Sequence, residues 1–419
     1  MSPKKPADCT VGIDYAVSAP HVLSIRWDGE KPASPLSIPP ERAPVREALE
    51  SLVKKAEGGR VRVAFESSGR HLHKLLRTID GLELHPINPL ASNMARRALH
   101  VSGVKSDEID ADALRDFLER NGDRLRPDVA PDPASARLGT LCEHRRDIIE
   151  QRKATGNRMI DAVRHDFPAL ATAFDRYSKS FAKLLVAFPD LHALSRKRSS
   201  TMKNWLAKNS RLGADKREDI LKALGAIDPT AQGLFWQRAV FEARLALLLE
   251  KQTTAYDRQI KPLYKAHPLH DLVNSLPGAG PALGPRLCAF LGRHPDGWES
   301  AMDMLLKSGI APVTRKSGGG KPIIRRRRAC RTFDIQTFVE FARCSKSSSE
   351  WAKNFHAQKR ANKMKAFTIY RALAFKWIRI IYACMESGTL YDASKIKSPY
   401  APKPDENSGK TCGKPKSKS

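Results

Sequence analysis

Four acidic residues, Asp14, Glu66, Asp107 and Asp110, stand where they could share divalent cations. Two-metal phosphoryl transfer needs several carboxylates converging on Mg²⁺ ions about 3.5–4 Å apart, which activate the attacking oxygen and stabilise the leaving one. Asp14 interrupts the apolar run Val11-Gly12-Ile13, and Glu66 closes the run Val61-Arg62-Val63-Ala64-Phe65 just before Ser67-Ser68-Gly69, a strand-to-helix turn. Both acids therefore belong on or beside a sheet. Asp107 and Asp110 fall in Lys105-Ser106-Asp107-Glu108-Ile109-Asp110-Ala111, which reads as a helix start capped by Ser106. At about 100° per residue these two lie within about 60° of each other, so both can face one metal site. Asp112, about 160° from Asp110, points away, and Glu108 is about 100° off. Singly, each acid has an ordinary explanation, because first-turn acids complement the helix dipole and a lone Asp after Gly-Ile is common. The ordered set within one α/β region of a basic chain is what points to metal-dependent phosphate chemistry.

Two further segments suit phosphate. Leu276-Pro277-Gly278-Ala279-Gly280-Pro281 precedes a helix pattern, and a PGxG turn there presents backbone N–H groups at Gly278 and Gly280 much as a helix-hairpin-helix module does. Glycines at 278, 280 and 284 spell GxGxxxG with no preceding strand, which argues against a dinucleotide site and leaves a plain helix-linking turn as the alternative. Ser317-Gly318-Gly319-Gly320-Lys321 looks like a phosphate loop but has Pro322 where a Walker motif needs Ser or Thr. Around Ser317 stand Arg315, Lys316, Lys321, Arg325, Arg326, Arg327 and Arg328, so the residues alone read as a solvated loop that grips phosphate. A serine attacks phosphate only if a base or metal takes its proton and cations hold the phosphate charge. The helix pattern from Ala366 to Tyr382 carries Phe367, Tyr370, Phe375, Trp377 and Tyr382 among basic residues, and together with Trp351 it reads first as helix core and second as a stacking surface for bases.

These residues need elements to hold them. From Thr10 to about Asn121, VGIDYAV, HVLSIRW, VRVAF and LELHPI read as successive strands with helices between and after them, an α/β region over 10–123. Arg124 to Pro133, with three prolines, reads as a linker. Region 134–264 is helical and bracketed by long helices near 134–165 and 232–260. In the second, Leu234, Phe241, Leu248 and Ala255 recur every seven residues, which suits either an antiparallel coiled-coil arm or an ordinary amphipathic helix. Region 266–392 is mainly helical, broken by the Gly- and Arg-rich loop. Region 393–419 is rich in Lys, Ser and Pro and reads as a basic disordered tail.

The chain has 419 residues, 73 Lys and Arg against 45 Asp and Glu, and a formal charge of +28 spread along its length, so a polyanion is the expected partner. No apolar run approaches the roughly 18 residues that span a bilayer, and Met1–Thr10 is polar without a signal segment, so no membrane partner and a cytoplasmic, nucleoid-associated location are expected. Seven cysteines without a CxxC pair argue against a disulfide scaffold or zinc ribbon.

The blocks GIDYA, FESSG, the Ile-Asn-Pro of Leu84–Pro89, KSDEIDADAL, LPGAG, SGIAPVTRKSGGG and SEWA resemble, in order and spacing, the DEDD insertion-sequence transposases, or bridge-RNA-guided recombinases, from about Val11 to Asp392. The resemblance implies a RuvC-like (RNase H fold) domain in which Asp14, Glu66, Asp107 and Asp110 bind Mg²⁺, or Mn²⁺, and act in catalysis. It also implies a coiled-coil arm joining homodimers and homotetramers, and a C-terminal transposase domain with a helix-hairpin-helix-like element and Ser317 as nucleophile toward donor and target DNA. A non-coding bridge RNA would choose the sites, and the acids of one subunit would meet the serine of another. The chain departs from the family pattern at Ser106 and Glu108, which replace Thr and Arg, and at Tyr15-Ala16; none of these removes a carboxylate. The competing functions are a RuvC-like metal-dependent nuclease or junction resolvase, in which water attacks, and a non-catalytic nucleic-acid-binding protein.

Overall fold

The computed structural model describes residues 6–16, 18–67, 70–99, 104–174, 178–228, 230, 233–294, 297–316, 322–327 and 330–396. The chain divides into two compact units, Met1–Pro131 with Pro312–Arg331, and Asp132–Ala311 with Thr332–Ser419.

The first unit is built on a mixed sheet of β1 (Cys9–Asp14), β2 (His21–Trp27), β3 (Leu36–Ile38), β4 (Val61–Glu66) and β5 (Leu82–Ile87). Its order is β3-β2-β1-β4-β5: β2 is antiparallel to β1 and β3, whereas β1, β4 and β5 run parallel. The parallel joins are made by α1 (Arg42–Ala56), entering β4, and α2 (Arg70–Leu76), entering β5, followed by α3 (Pro89–Leu99) and α4 (Asp107–Asn121). The mixed α/β character expected of this region is present. The first strand stops at Asp14, short of the run read through Val17, and the short edge strand β3 was not foreseen.

Side chains alternate across a strand, so β1 and β4 present two different faces. Cys9, Val11, Ile13, Val61, Val63 and Phe65 join Val45, Leu49 and Leu52 of α1 in the larger core. On the opposite face Ala64 packs with Ile87, Leu114 and Leu118 beneath α4. Asp14 shares the parity of Gly12, and Glu66 that of Ala64, which puts both acids on the α4 side.

The second unit is helical. Long helices α5 (Pro133–Asp166) and, further on, α11 (Trp236–Lys265) run against each other. Between them in sequence come α6 (Pro168–Ala173), α7 (Lys179–Ala187), α8 (Leu191–Ser195), α9 (Ser199–Asn209) and α10 (Ala214–Gly225). Pro133 opens α5 in the first turn, where its missing N–H costs nothing, and the Asp132 carboxylate accepts from the Ser135 amide at 2.8 Å. Trp236, Ala239, Val240 and Ala243 of α11 bury in the core with Met159, Ile160 and Val163 of α5. The seven-residue set reads differently: Leu234, Phe241 and Leu248 are 74%, 64% and 61% exposed, outside that seam.

The unit continues with α12 (His270–Ser275), α13 (Gly284–Leu291), α14 (Ala301–Lys307), α15 (Thr332–Ser345), α16 (Glu350–Ala361) and α17 (Ala366–Ser387). Trp351 and Trp377 are buried, their rings 4.8 Å apart, and Trp377 Nε1 donates to Ser345 Oγ at 2.8 Å, so these two are core as expected; Tyr370, Phe375 and Tyr382 are half-buried and Phe367 is exposed. The Gly- and Arg-rich segment is flanked by strands where helix and loop were expected: β6 (Pro312–Arg315) and β7 (Ile323–Arg326) pair antiparallel, and they belong to the first unit.

Candidate active site

Asp14 and Glu66 are the last residues of β1 and β4, adjacent parallel strands in register from Cys9↔Val61 to Ile13↔Phe65. Open α/β sheets bind ligands outside the carboxyl ends of their parallel strands, and both acids occupy that edge. Helix α4 delivers the other two. Ser106 caps it, accepting from the Ile109 amide at 3.3 Å, and Asp107, Glu108 and Asp110 fill its first turn.

The helix reaches the sheet because Gly12 has no side chain. A Cβ there would stand 2.1 Å from the Ala111 carbonyl oxygen and 2.5 Å from the Arg115 nitrogen. Arg115, 5% exposed, anchors the same contact: it donates to Asp112 at 2.7 Å and to Asp116 at 2.6 Å, and also to Ser24 Oγ on β2. Ser24 in turn donates to Asp112 at 2.5 Å, so Asp112 serves docking and is turned away from the four acids, as its helical angle requires.

Electrostatics tie the four acids together. The Asp14 carboxyl is pushed up to about 6, first by burial and then by the negative charges of Asp110, Asp107 and Glu66, with Lys105 opposing. Glu108 is held below the usual range by the Ser106 hydroxyl and by its own backbone amide. Asp110 has a cationic neighbour in Arg96 of α3, whose Nη1 lies 3.1 and 3.3 Å from its two oxygens. Arg96 went unnoticed in the sequence, where its only signal is a basic residue late in the helix before the acidic one.

Among the described residues, no three His, Cys, Asp or Glu side chains are gathered tightly enough to hold an ion as they stand. The donor set nevertheless suits one: four carboxylates offer only hard oxygen ligands, the preference of Mg²⁺ and Mn²⁺ rather than Zn²⁺. The mutual repulsion that raises Asp14 is what a bound cation relieves.

The other predicted site residues lie elsewhere. Gly278, at φ +89°, is packed against the α15 end, where a Cβ would meet the Ser345 nitrogen at 2.6 Å; nothing crowds Gly280. The amides of Leu283 and Gly284 both donate to the Gly280 carbonyl and that of Ala279 to the Leu276 carbonyl, and Pro281 and Pro285 have no N–H. Arg315 lies in β6 paired with Ile323; Lys316, Arg325 and Arg326 are exposed and Arg327 is half-buried. Ser317, Lys321 and Arg328 fall outside the described residues.

The family of the α/β region is now identified by comparison. Residues 11–168 match the DEDD transposase model of IS110-type elements, described as "Transposase". A 44.8 kDa uncharacterised protein of insertion element IS116 from Streptomyces clavuligerus is 29% identical over 319 residues, covering 74% of this chain and 77% of that one. The 42 kDa uncharacterised protein of IS900 from Mycobacterium paratuberculosis is 24% identical over 388 residues, covering 91% and 96%. The 43.6 kDa protein of IS110 from Streptomyces coelicolor is 22% identical over 315 residues, covering 70% and 74%. Over residues 11–168 the chain matches the IS110-type insertion-sequence transposases, and its relatives are proteins of such elements, as its sequence blocks suggest. Its class of function is therefore DNA transposition, with cleavage and rejoining of DNA strands. No described helix is long and apolar enough to cross a membrane.

Proposed function

We propose that the chain is a Mg²⁺-dependent DNA transposase whose four acids and Ser317 share the work. The observation that carries this reading is the coupling of Asp14 to Asp110, Asp107 and Glu66 at the carboxyl edge of a mixed sheet, which is how a RuvC-like domain would present them. Asp14, Glu66, Asp107 and Asp110 would hold Mg²⁺ or Mn²⁺, which when bound supplies charge neutralisation at the phosphate and lowers the barrier to oxygen attack. The Ser317 hydroxyl attacks phosphorus, its oxygen forms the new P–O bond, its proton passes to a base, and the cut strand leaves as a hydroxyl. Reversal by the hydroxyl of another strand rejoins DNA and frees the serine. Arg315, Lys316, Lys321 and Arg325 to Arg328 neutralise phosphate around this exchange, and Gly278 and Gly280 contribute through the turn that carries them. The exposed Phe241 and Leu248 of α11, with Leu234 just before it, support self-association through this helix as a homodimer or homotetramer, and a bridge RNA is the proposed guide to donor and target DNA.

The test is a pair of variants assayed with cognate DNA and the RNA that co-purifies from the native locus. Asp14→Ala is expected to lose Mg²⁺-dependent cleavage, and Ser317→Ala to lose covalent protein–DNA adducts. Cleavage by Ser317→Ala without an adduct would make water the nucleophile and the protein a resolvase-like nuclease. Unchanged cleavage by Asp14→Ala would remove the metal site, and binding without cleavage by the parent would leave a nucleic-acid-binding protein.

A further inference from the structure

The helical unit contains a cavity of about 220 Å³ where α5, α11, α13 and α15 meet, and it includes none of the acids assigned above. Four arginines line it, Arg145, Arg146, Arg286 and Arg343, against one carboxylate, Glu340; the turn Pro281–Leu283 forms part of its wall. That volume is below the range of drug-sized ligand sites, so its occupant is a small group rather than a whole nucleotide.

The charges within it are unevenly matched. Arg286 is 7% exposed, and burial pulls its guanidinium below the ordinary value while Glu340 works the other way. Its Nε donates to Thr337 Oγ1 at 3.0 Å and its Nη1 to Glu340 Oε2 at 2.6 Å, yet its buried Nη2 has no acceptor. Arg146 uses the other Glu340 oxygen at 3.1 Å and Glu150 at 2.6 Å, and its buried Nε also lacks an acceptor. Asp257 holds Arg145 at 2.6 Å. Glu340 is thus divided between two guanidinium groups, and Arg343, exposed at the rim, has no ion pair among the described residues. A structural salt-bridge cluster ordinarily closes on itself, because a buried charge without full compensation is costly. This one leaves a cation at its mouth and donors behind it.

We propose that this cavity binds one phosphate group, with Arg343 and Arg145 in direct contact and Arg286 and Arg146 supplying fixed positive charge behind them. Planar guanidinium forks match phosphate oxygens in pairs, which suits this set better than lysines would. In the adjoining turn the Leu283 and Gly284 amides are spent on the Gly280 carbonyl and Pro281 has no N–H, so the arginines carry most of the recognition. The phosphate can be a backbone phosphodiester of bound DNA or RNA, or free orthophosphate.

The experiment uses the full chain and Arg343→Gln, which changes an exposed side chain and leaves the fold intact. First, thermal unfolding is followed as inorganic phosphate replaces chloride at constant ionic strength. Second, the affinity for duplex DNA and for an RNA hairpin is measured against salt concentration. A saturable phosphate-dependent rise in Tm that needs at least tenfold more phosphate in Arg343→Gln, with unaltered salt slopes, identifies orthophosphate as the ligand. A fall in the slope of log K against log salt by roughly 0.7–0.9, one phosphate contact, identifies a nucleic-acid backbone. If Arg343→Gln keeps both the parent's response to phosphate and its salt slopes, the proposal is overturned. Neither readout requires strand cleavage, so the outcome is independent of the metal and serine reading.

Discussion

Gly12 and Ala111 meet backbone to backbone: a Cβ at Gly12 would stand 2.1 Å from the Ala111 carbonyl oxygen, with the Arg115 nitrogen 2.5 Å away. Nothing separates α4 from β1 at this point, and Asp14 lies two residues further along the same strand face. The first-turn acids of α4 therefore come to Asp14 only as closely as Gly12 permits. Gly12→Ala is expected to lift α4 and to destabilise the first unit by about 1–3 kcal/mol, the usual cost of overpacking a close contact. Urea unfolding would show the loss, and the Mg²⁺ concentration for half-maximal cleavage should rise with it. An alanine protein as stable as the parent would refute the close-contact argument.

Asp14 gives the site a pH signature. With its carboxyl raised to about 6 from 3.8, the metal-free folded chain keeps a proton that the unfolded chain gives up over pH 4–6. Stability contributed by this group is thus greatest below pH 4, falls as pH rises through about 6, and is level above that. Asp14 is partly open to solvent, and screening reduces the effect to about 1 kcal/mol. Asp14→Asn removes it, so in EDTA the variant should match or exceed the parent above pH 6 and lose that advantage near pH 4. The difference between the two proteins is the quantity to measure, because Asp8 and Asp128, whose carboxyls are lowered, impose the opposite slope on both. A difference that is constant from pH 4 to 7 would contradict the raised carboxyl.

Arg96 competes for Asp110. Its Nη1 lies 3.1 Å from one carboxylate oxygen, so a divalent ion that uses Asp110 must displace or share with a guanidinium. Arg96→Gln should strengthen Mg²⁺ binding several-fold, measured by calorimetry on the DNA-free protein. The parent's contact is partly exposed, so the unfolding midpoint should move little. Weaker Mg²⁺ binding in the variant would instead make Arg96 a support for the carboxylate rather than its competitor.

The acids were legible because each sits where local pattern is strong: Asp14 and Glu66 end apolar runs of strand parity, and Asp107 and Asp110 follow a serine cap. Their convergence was not, since it depends on a non-local event, α4 settling on Gly12 about a hundred residues earlier in the chain. Gly12 carried a signal only as the one residue without a side chain on that strand face. Arg96 and the Arg115–Asp112–Ser24 network were invisible for the same reason: ion pairs between elements have no period. The hairpin β6–β7 was missed because β7 reads Ile-Ile-Arg-Arg, fully exposed and without alternation. The seven-residue set was legible only as a period: α11 begins at Trp236, so Leu234 precedes it, and period alone does not say which neighbour a stripe faces.

That stripe gives the last prediction. Phe241 and Leu248 of α11, and Leu234 in the turn just before it, are exposed, whereas Trp236, Ala239 and Ala243 of the helix are buried in the core shared with α5. A large apolar side chain repeated every seven residues on a solvent-facing helix is the arrangement that packs against a second helix. Phe241→Glu with Leu248→Glu should lower the mass found by light scattering to that of a monomer, while the urea midpoint stays within about 0.5 kcal/mol of the parent, as for other exposed substitutions. Ala243→Glu, which forces a carboxylate into the α5 seam, should instead unfold the helical unit. If the double variant keeps the parent's mass, the stripe serves some contact other than self-association; if it loses stability as Ala243→Glu does, the stripe is part of the fold.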